Sequence, residues 1–338
     1  MLQRLRGLVS KNLDVLLLNP GPVHVYSGMV PGVIAGHYAP AEAVIDLARL
    51  ARQVGGELVE AQAQRIDLAG KRLILADGRA IEYDYLSLNI GALPNFAAVP
   101  GAREHAIGVK PFKPMLERWR ALSGASARIA VAGAGAGGVE MALAMKFAGA
   151  REVVLFSDKN SFAENVRSRV LAALQRNAVT FRSDSPVTAV EPGPSVVTAS
   201  ASERFDALFW AAGAAAPPMI AESGLKTDAG GYALVDATLR SVSHPQVFAA
   251  GDCATLHESP HPKSGVYAVR HGRVLAENLM RVVRGSKLVA YEPQNRSLVL
   301  LSCGGRYAVA ARGGWSAEGA WVWRWKDWID RRWVGRFR

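Results

Sequence analysis

The chain has 338 residues, of which 50% are hydrophobic, and carries a formal net charge of +11 at pH 7. This length suffices for two large domains, and the lack of any run of about 18 uninterrupted apolar residues excludes a spanning helix. The start of the chain offers no apolar core for a secretory signal, so we expect a cytoplasmic protein.

Apolar runs and turn residues predict alternating strands and helices in the first third of the chain. Strands are predicted over 14–19, 57–61, 65–83 (two strands around the turn 76–79) and 84–91. A helix is predicted over 41–54 from apolar positions at Val44, Leu47, Leu50 and Ala51. A Pro- and Gly-rich stretch over 94–101 then predicts a hinge-like exit from this part.

A dinucleotide fingerprint follows. The strand 128–132 runs into Gly133, Gly135 and Gly138, which fit G-x-G-x-x-G, and helical sequence begins at Val139. The first glycine permits the tight turn, the second lets a pyrophosphate approach the backbone, and the third lets helix and strand pack closely. The free N–H groups and positive dipole end of the helix favour phosphate there. A glycine-rich turn in an ordinary α/β unit is the competing interpretation.

The end of the next strand, predicted over 153–156, bears on the choice of coenzyme. Asp158 follows that strand and can accept a hydrogen bond from a ribose 2′-hydroxyl, which favours NADH. Ser157 with Lys159 would instead tolerate the 2′-phosphate of NADPH. We therefore predict NAD(P)H as a ligand, with NADH favoured.

Two more strands end in glycine. The strand 206–212 leads to Gly213, and the strand 246–250 leads to Gly251 and Asp252. Open α/β sheets bind ligands at the carboxyl ends of their strands. Gly251 removes the Cβ that would block a pyrophosphate, and the short Asp252 carboxylate can hold a ribityl or ribose hydroxyl.

The two cysteines, Cys253 and Cys303, form no C-x-x-C motif. This excludes a dithiol redox centre, and a disulfide scaffold or a cysteine-rich metal site is equally disfavoured. Cys253 follows Asp252 at a predicted helix start, where a cysteine is either reactive or small buried filler. We predict no metal site.

Three strings give the sequence a family resemblance: 26–38, 262–272 and 318–332. With the order of the two glycine turns, they resemble type II NADH dehydrogenase-like flavoproteins of the pyridine nucleotide-disulfide oxidoreductase superfamily, in the branch associated with selenide water dikinase. The resemblance implies an α/β fold of two Rossmann-like, three-layer dinucleotide-binding domains, the second inserted in the first. We expect an FAD-binding-like domain over 1–109 and 236–290, an NAD(P)-binding domain over 110–235, and a carboxyl-terminal segment over 291–338.

The resemblance also implies roles for single residues. Lys263 would contact the flavin, and Gly265, Tyr267 and Ala268 would lie beside its ring, while Glu140 would approach the nicotinamide. The competing interpretations are a solvated loop lysine at Lys263, helix core at Tyr267 and Ala268, and a surface helix residue at Glu140. Lone histidines such as His37 and His271 relay protons or, more often, are structural.

The front of the chain departs from the family pattern, because no first strand with its G-x-G-x-x-G loop precedes the strand 14–19. The segment 1–5 reads as the end of the first helix, and Asn19 stands where an acidic ribose ligand is common. A misassigned start, a natural truncation and a loss of FAD binding remain open. We expect this chain to hold much less than one FAD.

The function favoured by these observations is an FAD-dependent NAD(P)H oxidoreductase that reduces a quinone or another small-molecule acceptor. The alternatives are a flavin-free or inactive nucleotide-binding module linked to selenium metabolism, and a sulfide:quinone reductase, which would need paired cysteines near the flavin. The chain is basic, but its sequence has no nucleic-acid-binding motif. We therefore expect no nucleic-acid partner. A homodimer is left open.

The carboxyl-terminal segment 318–338 is rich in tryptophan and arginine. A helical wheel places on one face Trp321, Val322, Trp325, Trp328 and Ile329. The charged residues lie mostly on the opposite face: Arg324, Lys326, Asp327, Asp330 and Arg331. Such an amphipathic helix can contact a membrane at its periphery, with aromatic residues in the interface and cations toward anionic lipid. A helix docked on the protein with its tryptophans in the core is the competing interpretation.

Overall fold

The computed structural model describes residues 13–122, 126–158, 162 and 164–338 as a mixed α/β protein. The first strands are β1 Leu16–Asn19, β2 Val23–Val25, β3 Val44–Asp46, β4 Glu57–Glu60, β5 Ala63–Asp67, β6 Arg72–Leu75, β7 Ala80–Glu82, β8 Leu86–Leu88, β9 Leu93–Pro94 and β10 Ile107–Gly108. The helices of this stretch are α1 Val30–Ile34, α2 Leu47–Gln53 and α3 Ala102–His105.

The middle of the chain supplies the largest sheet and its helices. Its strands are β11 Arg128–Ala132, β12 Glu152–Phe156, β13 Val179–Arg182, β14 Ala189–Glu191, β15 Ser195–Val197, β16 Ser202–Arg204, β17 Ala207–Trp210 and β18 Ala214–Ala215. The helices are α4 Phe112–Leu122, α5 Ala136–Phe147, α6 Glu164–Arg176 and α7 Pro218–Glu222.

The remainder of the chain returns to the first part and then adds a separate layer. Its strands are β19 Ala233–Val235, β20 Val247–Ala249, β21 Ala254–Leu256, β22 Val299–Ser302, β23 Ala308–Arg312 and β24 Trp315–Gly319. Its helices are the long α8 Gly265–Val283 and the terminal α9 Ala320–Gly335.

The central sheet has five parallel strands in the order β10-β17-β11-β12-β13. Side chains alternate across it as the strand period requires. Ile129 and Val131 enter a core with α4, α5 and α6, whereas Ala130 and Ala132 face a core with the antiparallel sheet β14-β15-β16. Both faces are buried, which explains why β11, β12 and β17 read as continuous apolar runs. The predicted three-layer dinucleotide-binding architecture is confirmed here.

Strands from before and after this sheet pair with each other. β8 pairs in parallel with β20, so the segments 86–88 and 247–249 lie side by side although the central sheet separates them in sequence. β1 pairs in parallel with β4, as a second two-stranded unit. This connectivity agrees with an insertion of one unit into another. β10 pairs with β17 and so lies in the central sheet, although the predicted boundary follows it at residue 109.

The predicted helix over 41–54 is only partly correct. Residues 40–43 form a 3₁₀ turn, residues 44–46 form β3 against β2, and the α-helix begins at Leu47. The β-branched pair Val44 and Ile45 favours a strand. Asp46 then starts the helix, because its side chain accepts a hydrogen bond from the Arg49 N–H at 2.8 Å.

The carboxyl-terminal helix α9 packs on the sheet β22-β23-β24, with Val322 against Ala308 and Ala310. The side chains that it buries recur every four residues: Val322, Lys326, Asp330 and Val334. Trp321 and Trp328 are instead 50% and 58% exposed. The helix is therefore docked on the protein. The interpretation in which its tryptophans fill the core is wrong for Trp321 and Trp328, because the buried face of the helix consists of two valines and an ion pair.

Candidate functional site

The glycine fingerprint forms a tight turn between β11 and α5. Gly133 has φ +101, a backbone conformation that side chains rarely adopt, and a Cβ on Gly138 would lie 1.8 Å from the Gly133 carbonyl oxygen. These two glycines are therefore required by the fold itself. Gly135 differs, because no described atom lies within 4 Å of a Cβ built on it. The space beside Gly135 is what a pyrophosphate needs for close approach.

The first turn of α5 faces the same space. Gly135 is the N-cap of this helix, and no described side chain caps it. Its free N–H groups can thus donate to phosphate oxygens. Phe156 is in register with Ala132 across β12, so Asp158 lies just beyond the same carboxyl edge of the sheet and is exposed there. Lys159, the residue predicted to tolerate a 2′-phosphate, lies outside the described residues.

Gly213 lies near the same edge on the other side of the fingerprint. Trp210 is in register with Ala132, and Gly213 follows with φ +66. A Cβ built on Gly213 would meet the Cβ of Asn95 at 3.2 Å, which places the hinge-like stretch beside this turn. The predicted glycines are thus brought together, and their contacts with a coenzyme remain a prediction.

A second ligand turn follows β20. Gly251 has φ +72, and a Cβ on it would lie 2.8 Å from the Asn89 side-chain oxygen. Within the described part of the chain, the Asp252 Oδ1 atom is buried without a hydrogen-bond partner, and Oδ2 lies 3.4 Å from the Lys110 Nζ. A buried carboxylate oxygen normally has a partner. The orphaned oxygen therefore fits a ligand hydroxyl, such as a ribityl or ribose hydroxyl of a flavin nucleotide.

Helix α8 begins against this turn. The Ala268 Cβ would lie 3.4 Å from a Cβ on Gly251, and the N–H groups of Tyr267 and Ala268 both donate to the Ser264 carbonyl oxygen. No described side chain caps the helix, and the space at Gly265 is open. Two features thus suit a flavin nucleotide here: a glycine turn without steric obstruction and a helix N-terminus with available N–H donors.

Lys263 is held by the protein. Its ammonium donates to the Ala254 carbonyl oxygen and, at 2.7 Å, to Thr255 Oγ1. It also lies 4.2 Å from the centre of the Tyr232 ring. Burial lowers the pKa of Lys263, and the Asp228 carboxylate opposes that shift. The side chain is therefore not a solvated loop lysine, and its contact with a flavin stays a prediction.

Glu140 belongs to a buried polar cluster, which we call the α9 cluster: Tyr26, Glu140, Ser302, Lys326 and Asp330. The Glu140 carboxylate accepts a hydrogen bond from the Ser302 N–H at 2.8 Å, and Lys326 donates to Asp330 at 2.6 Å. Lys326 also donates to the Gly28 carbonyl oxygen at 2.7 Å. The cluster connects α5, the 26–38 string and α9.

The charges in the α9 cluster influence one another. Burial raises the pKa of Glu140, and the Lys326 ammonium opposes this shift. Burial alone would lower the pKa of Lys326, but the carboxylates of Glu140 and Asp330 outweigh it and raise that pKa. Burial also raises the pKa of Asp330, and the Lys326 ammonium again opposes that shift. Glu140 is thus not a surface helix residue. It lies two residues after Gly138, and within the α9 cluster one cation, Lys326, balances two carboxylates.

The remaining candidates have structural partners. His37 lies with its Nε2 atom 2.8 Å from the Gly304 carbonyl oxygen and between the rings of Phe147 and Trp323. Cys253 and Cys303 are both buried, and burial raises the pKa of each thiol, that of Cys303 to about 12. Such thiols are poor nucleophiles at neutral pH. Cys253 is therefore better described as buried filler.

The chain was compared with known proteins. Residues 2–272 match the family of pyridine nucleotide-disulphide oxidoreductases. The two glycine turns and the parallel sheet fit an oxidoreductase fold, and the match makes the family explicit: the chain belongs to the pyridine nucleotide-disulphide oxidoreductases.

Curated relatives include the NADH dehydrogenase-like protein YutJ of Bacillus subtilis, 24% identical over 294 residues, which cover 84% of this chain and 80% of that one. A type II NADH:quinone oxidoreductase of Staphylococcus aureus is 21% identical, with 87% and 82% covered. An NADH dehydrogenase-like protein of Mycobacterium tuberculosis is 31% identical, with 64% and 59% covered.

Solved structures share the fold. The sulfide:quinone oxidoreductase of Aquifex aeolicus superposes with a TM-score of 0.83 at 16% identity, over 99% of this chain and 88% of that one. NDH2 of Plasmodium falciparum, solved with NADH, gives 0.75 at 15% identity, over 99% and 97%. The expected superfamily and fold are confirmed. The selenide water dikinase branch remains a prediction, as does weakened flavin binding for lack of a first strand and its glycine loop. The segment 1–5, interpreted as the end of a first helix, lies outside the described residues.

Several residues of the site were not predicted from the sequence. Lys110 and Asn89 contact the Asp252 turn. Lys326 and Asp330 were placed on the polar face of the terminal helix, opposite the tryptophans, but the structure pairs them in the buried α9 cluster. Asn89 ends a predicted strand, which was a usable signal. An i,i+4 Lys–Asp pair is usually a surface feature, so the pattern alone could not show that it is buried.

Proposed function

We propose that the chain is an NAD(P)H dehydrogenase that uses FAD as the intermediate carrier and a quinone as the electron acceptor. The observation that carries this proposal is the orphaned, buried oxygen of Asp252 at a glycine turn, beside the N-terminus of α8. A second, independent nucleotide turn lies at Gly133–Gly138. Two such turns are what an oxidoreductase with two dinucleotides requires.

Residues of the chain would bind the two nucleotides and orient them. The α5 N-terminus and the space at Gly135 would hold the pyrophosphate of NAD(P)H, and Asp158 would accept the ribose hydroxyl of NADH. Asp252 would accept a hydroxyl of the flavin nucleotide, with Lys110 balancing its charge from 3.4 Å. When bound, FAD accepts a hydride from the nicotinamide and releases two electrons to an acceptor.

Glu140 has the chemistry of a proton-holding group near the coenzyme. Its carboxyl group is buried, and burial raises its pKa toward the range in which general acids and bases operate. It lies two residues after the last fingerprint glycine, in the first turns of the helix that would hold the coenzyme. We assign to Glu140 the role of orienting the nicotinamide or holding a proton there, with Lys326 and Asp330 adjusting its charge.

A quinone is proposed as the acceptor because the S. aureus relative is by its name an NADH:quinone oxidoreductase. The exposed side of α9 suits such a lipid-soluble partner. Trp321 and Trp328 are exposed, Trp325 stacks on Trp321 at 6.5 Å, and the Arg332 guanidinium lies 5.6 Å from the Trp328 ring. Tryptophan with arginine is typical of a helix face in a membrane interface. Among the described helices, none is long and apolar enough to cross a bilayer.

Neither alternative is favoured by the geometry. A sulfide:quinone reductase would need reactive cysteines, whereas Cys253 and Cys303 are buried with raised thiol pKa values. In a flavin-free module, the open glycine turn and the unpartnered oxygen at residues 251–252 would have no ligand to bind.

The test is a spectral titration of purified protein reconstituted with FAD. NADH added without oxygen should bleach the bound flavin absorbance near about 450 nm, and a soluble quinone should restore it. The variant Gly135→Val should bind FAD normally but resist bleaching at the same NADH concentration. The matched control is Gly314→Val, in the turn between β23 and β24, where no described atom lies within 4 Å of an added Cβ either. No retained FAD, or flavin that NADH leaves oxidised, would contradict the proposal.

A further inference from the structure

Two histidines lie directly behind the Gly251 turn. His271, on α8, is 1% exposed. Its Nδ1 atom lies 3.0 Å from the Gly251 backbone nitrogen, and its Nε2 atom lies 3.0 Å from the Nε2 atom of His261. The Nδ1 atom of His261 lies 3.1 Å from the Pro262 carbonyl oxygen. The four groups form one continuous chain of hydrogen bonds.

This chain can be satisfied in one protonation state only. The Gly251 N–H is a donor, so the His271 Nδ1 atom accepts and carries no proton. Neutral His271 then has its proton on Nε2 and donates to His261. His261 accepts at Nε2, has its proton on Nδ1, and donates to the Pro262 carbonyl oxygen. An added proton on either ring would place two donors opposite each other, so both histidines are neutral, with opposite tautomers.

The surroundings keep the pair neutral. The ring of His261 stacks on Tyr267 at 4.1 Å, and the ring of His271 meets Tyr291 edge-on at 4.5 Å. Burial, His261 and the Lys263 ammonium lower the pKa of His271 to about 4. The other ionisable groups at this turn are Asp252, Lys110 and the buried thiol of Cys253.

We propose that His271, supported by His261, is a positioning residue of the flavin site: it holds the Gly251 amide, and through it the orientation of the Asp252 carboxylate toward the ligand. The proposal rests on the proposed function, because it assigns the turn to a flavin nucleotide. His271 contacts backbone and His261 alone in this chain of hydrogen bonds, so it acts through Gly251 and not on the reacting atoms.

Two consequences follow for FAD binding. Removing the acceptor at residue 271 leaves the Gly251 N–H buried and unpaired, which destabilises the turn in the conformation that binds. Protonating His271 has the same effect, because a cationic imidazole has no acceptor for that N–H. Because the pKa of His271 is lowered to about 4, FAD affinity should stay level near neutral pH and fall only as the pH approaches that value.

Three variants separate this role from general packing. His271→Gln can still accept from the Gly251 N–H through its amide oxygen but cannot be titrated. His271→Leu fills a similar volume and accepts nothing. His257→Gln, the same exchange at an exposed position near the turn, is the matched control. FAD affinity is measured by the quenching of FAD fluorescence from about pH 7.5, above the ordinary histidine range, down to the lowered His271 pKa of about 4.

We expect His271→Leu to weaken FAD binding about tenfold or more at neutral pH, and His271→Gln to stay within about threefold of the unmodified protein. Affinity should fall with acid for the unmodified protein and His257→Gln, and should stay nearly constant for His271→Gln. Imidazole nitrogen NMR should show His271 protonated at Nε2 and His261 at Nδ1 at neutral pH.

The results that would contradict the proposed role of His271 differ from those that would contradict the flavin site itself. If the unmodified protein binds FAD and His271→Leu binds it equally well, the role of His271 is wrong while the flavin site stands. An identical acid dependence for His271→Gln and the unmodified protein, or a His271 ring protonated at Nδ1, would also overturn it. If the unmodified protein binds no FAD after reconstitution, the flavin site itself is wrong and this proposal falls with it.

Discussion

Replacing Lys326 with methionine tests the α9 cluster. The Lys326 and Asp330 side chains are only 8% and 5% exposed, and the ammonium lies 2.6 Å from Asp330 Oδ2 and 2.7 Å from the Gly28 carbonyl oxygen. Methionine preserves much of the volume but leaves two buried carboxylates without their cation. Removing one partner of a buried ion pair destabilises a protein by about 3–5 kcal/mol. We expect a loss of that size in the free energy of unfolding of Lys326→Met.

The assay is urea unfolding followed by tryptophan fluorescence, at two pH values. Without Lys326, the pKa values of Glu140 and Asp330 should rise further, because burial is no longer opposed. The folded state then binds protons that the unfolded state releases near neutral pH, so the stability of the variant should increase as the pH falls from about 7 to about 5. The unmodified protein should show a smaller gain, because Lys326 still opposes the rise in the pKa values of Glu140 and Asp330.

A double variant completes the test. Lys326→Met with Asp330→Leu removes both charges of the pair, so at least half of the lost stability should return. Lys287→Met, an exposed lysine in the loop after α8, is the control for the exchange itself. A loss below about 1 kcal/mol in Lys326→Met, or a double variant as unstable as the single one, would refute the interpretation of a buried, compensated cluster.

Three further outcomes are expected. Gly135→Val should weaken NADH binding at least tenfold, about 1.4 kcal/mol, in a calorimetric titration, with little change in melting temperature because no described atom crowds that position. Asp158→Arg should shift the preference from NADH toward NADPH in steady-state kinetics, and unchanged selectivity would remove Asp158 from the ribose site. Replacing Trp321 and Trp328 with alanine should reduce co-sedimentation with anionic vesicles several-fold at low salt, whereas equal sedimentation would argue against the membrane face.

The two glycine turns were predictable from the sequence because each depends on local chemistry. Glycine is required at Gly133 and Gly138 by the tight turn and by helix–strand contact. It is required at Gly251 because φ is positive there and a Cβ would meet the Asn89 side chain. A short motif flanked by a strand and a helix contains all of that information. The insertion of one unit in another was instead predicted through the family resemblance, to which the order of the two turns contributed.

What the sequence could not predict depends on contacts distant along the chain. Lys326 is buried because its ammonium meets a carbonyl oxygen 298 residues earlier, and Tyr26 donates to Asp330 across 304 residues at 3.3 Å. A helical wheel groups residues by hydrophobicity and so placed Lys326 and Asp330 on the face opposite the tryptophans. Their tertiary contacts instead bury both residues together with Val322. The pairing of His261 with His271 likewise becomes visible only when the loop folds onto α8.

The measurement that tests the central claim most directly is an oxygen-free titration of the FAD-reconstituted protein with NADH and then with a soluble quinone. One equivalent of NADH should bleach the flavin, and one equivalent of quinone should restore the oxidised spectrum, because the bound flavin is the only carrier between the two substrates. A protein that retains no FAD, or whose bound flavin stays oxidised with excess NADH, would contradict the account.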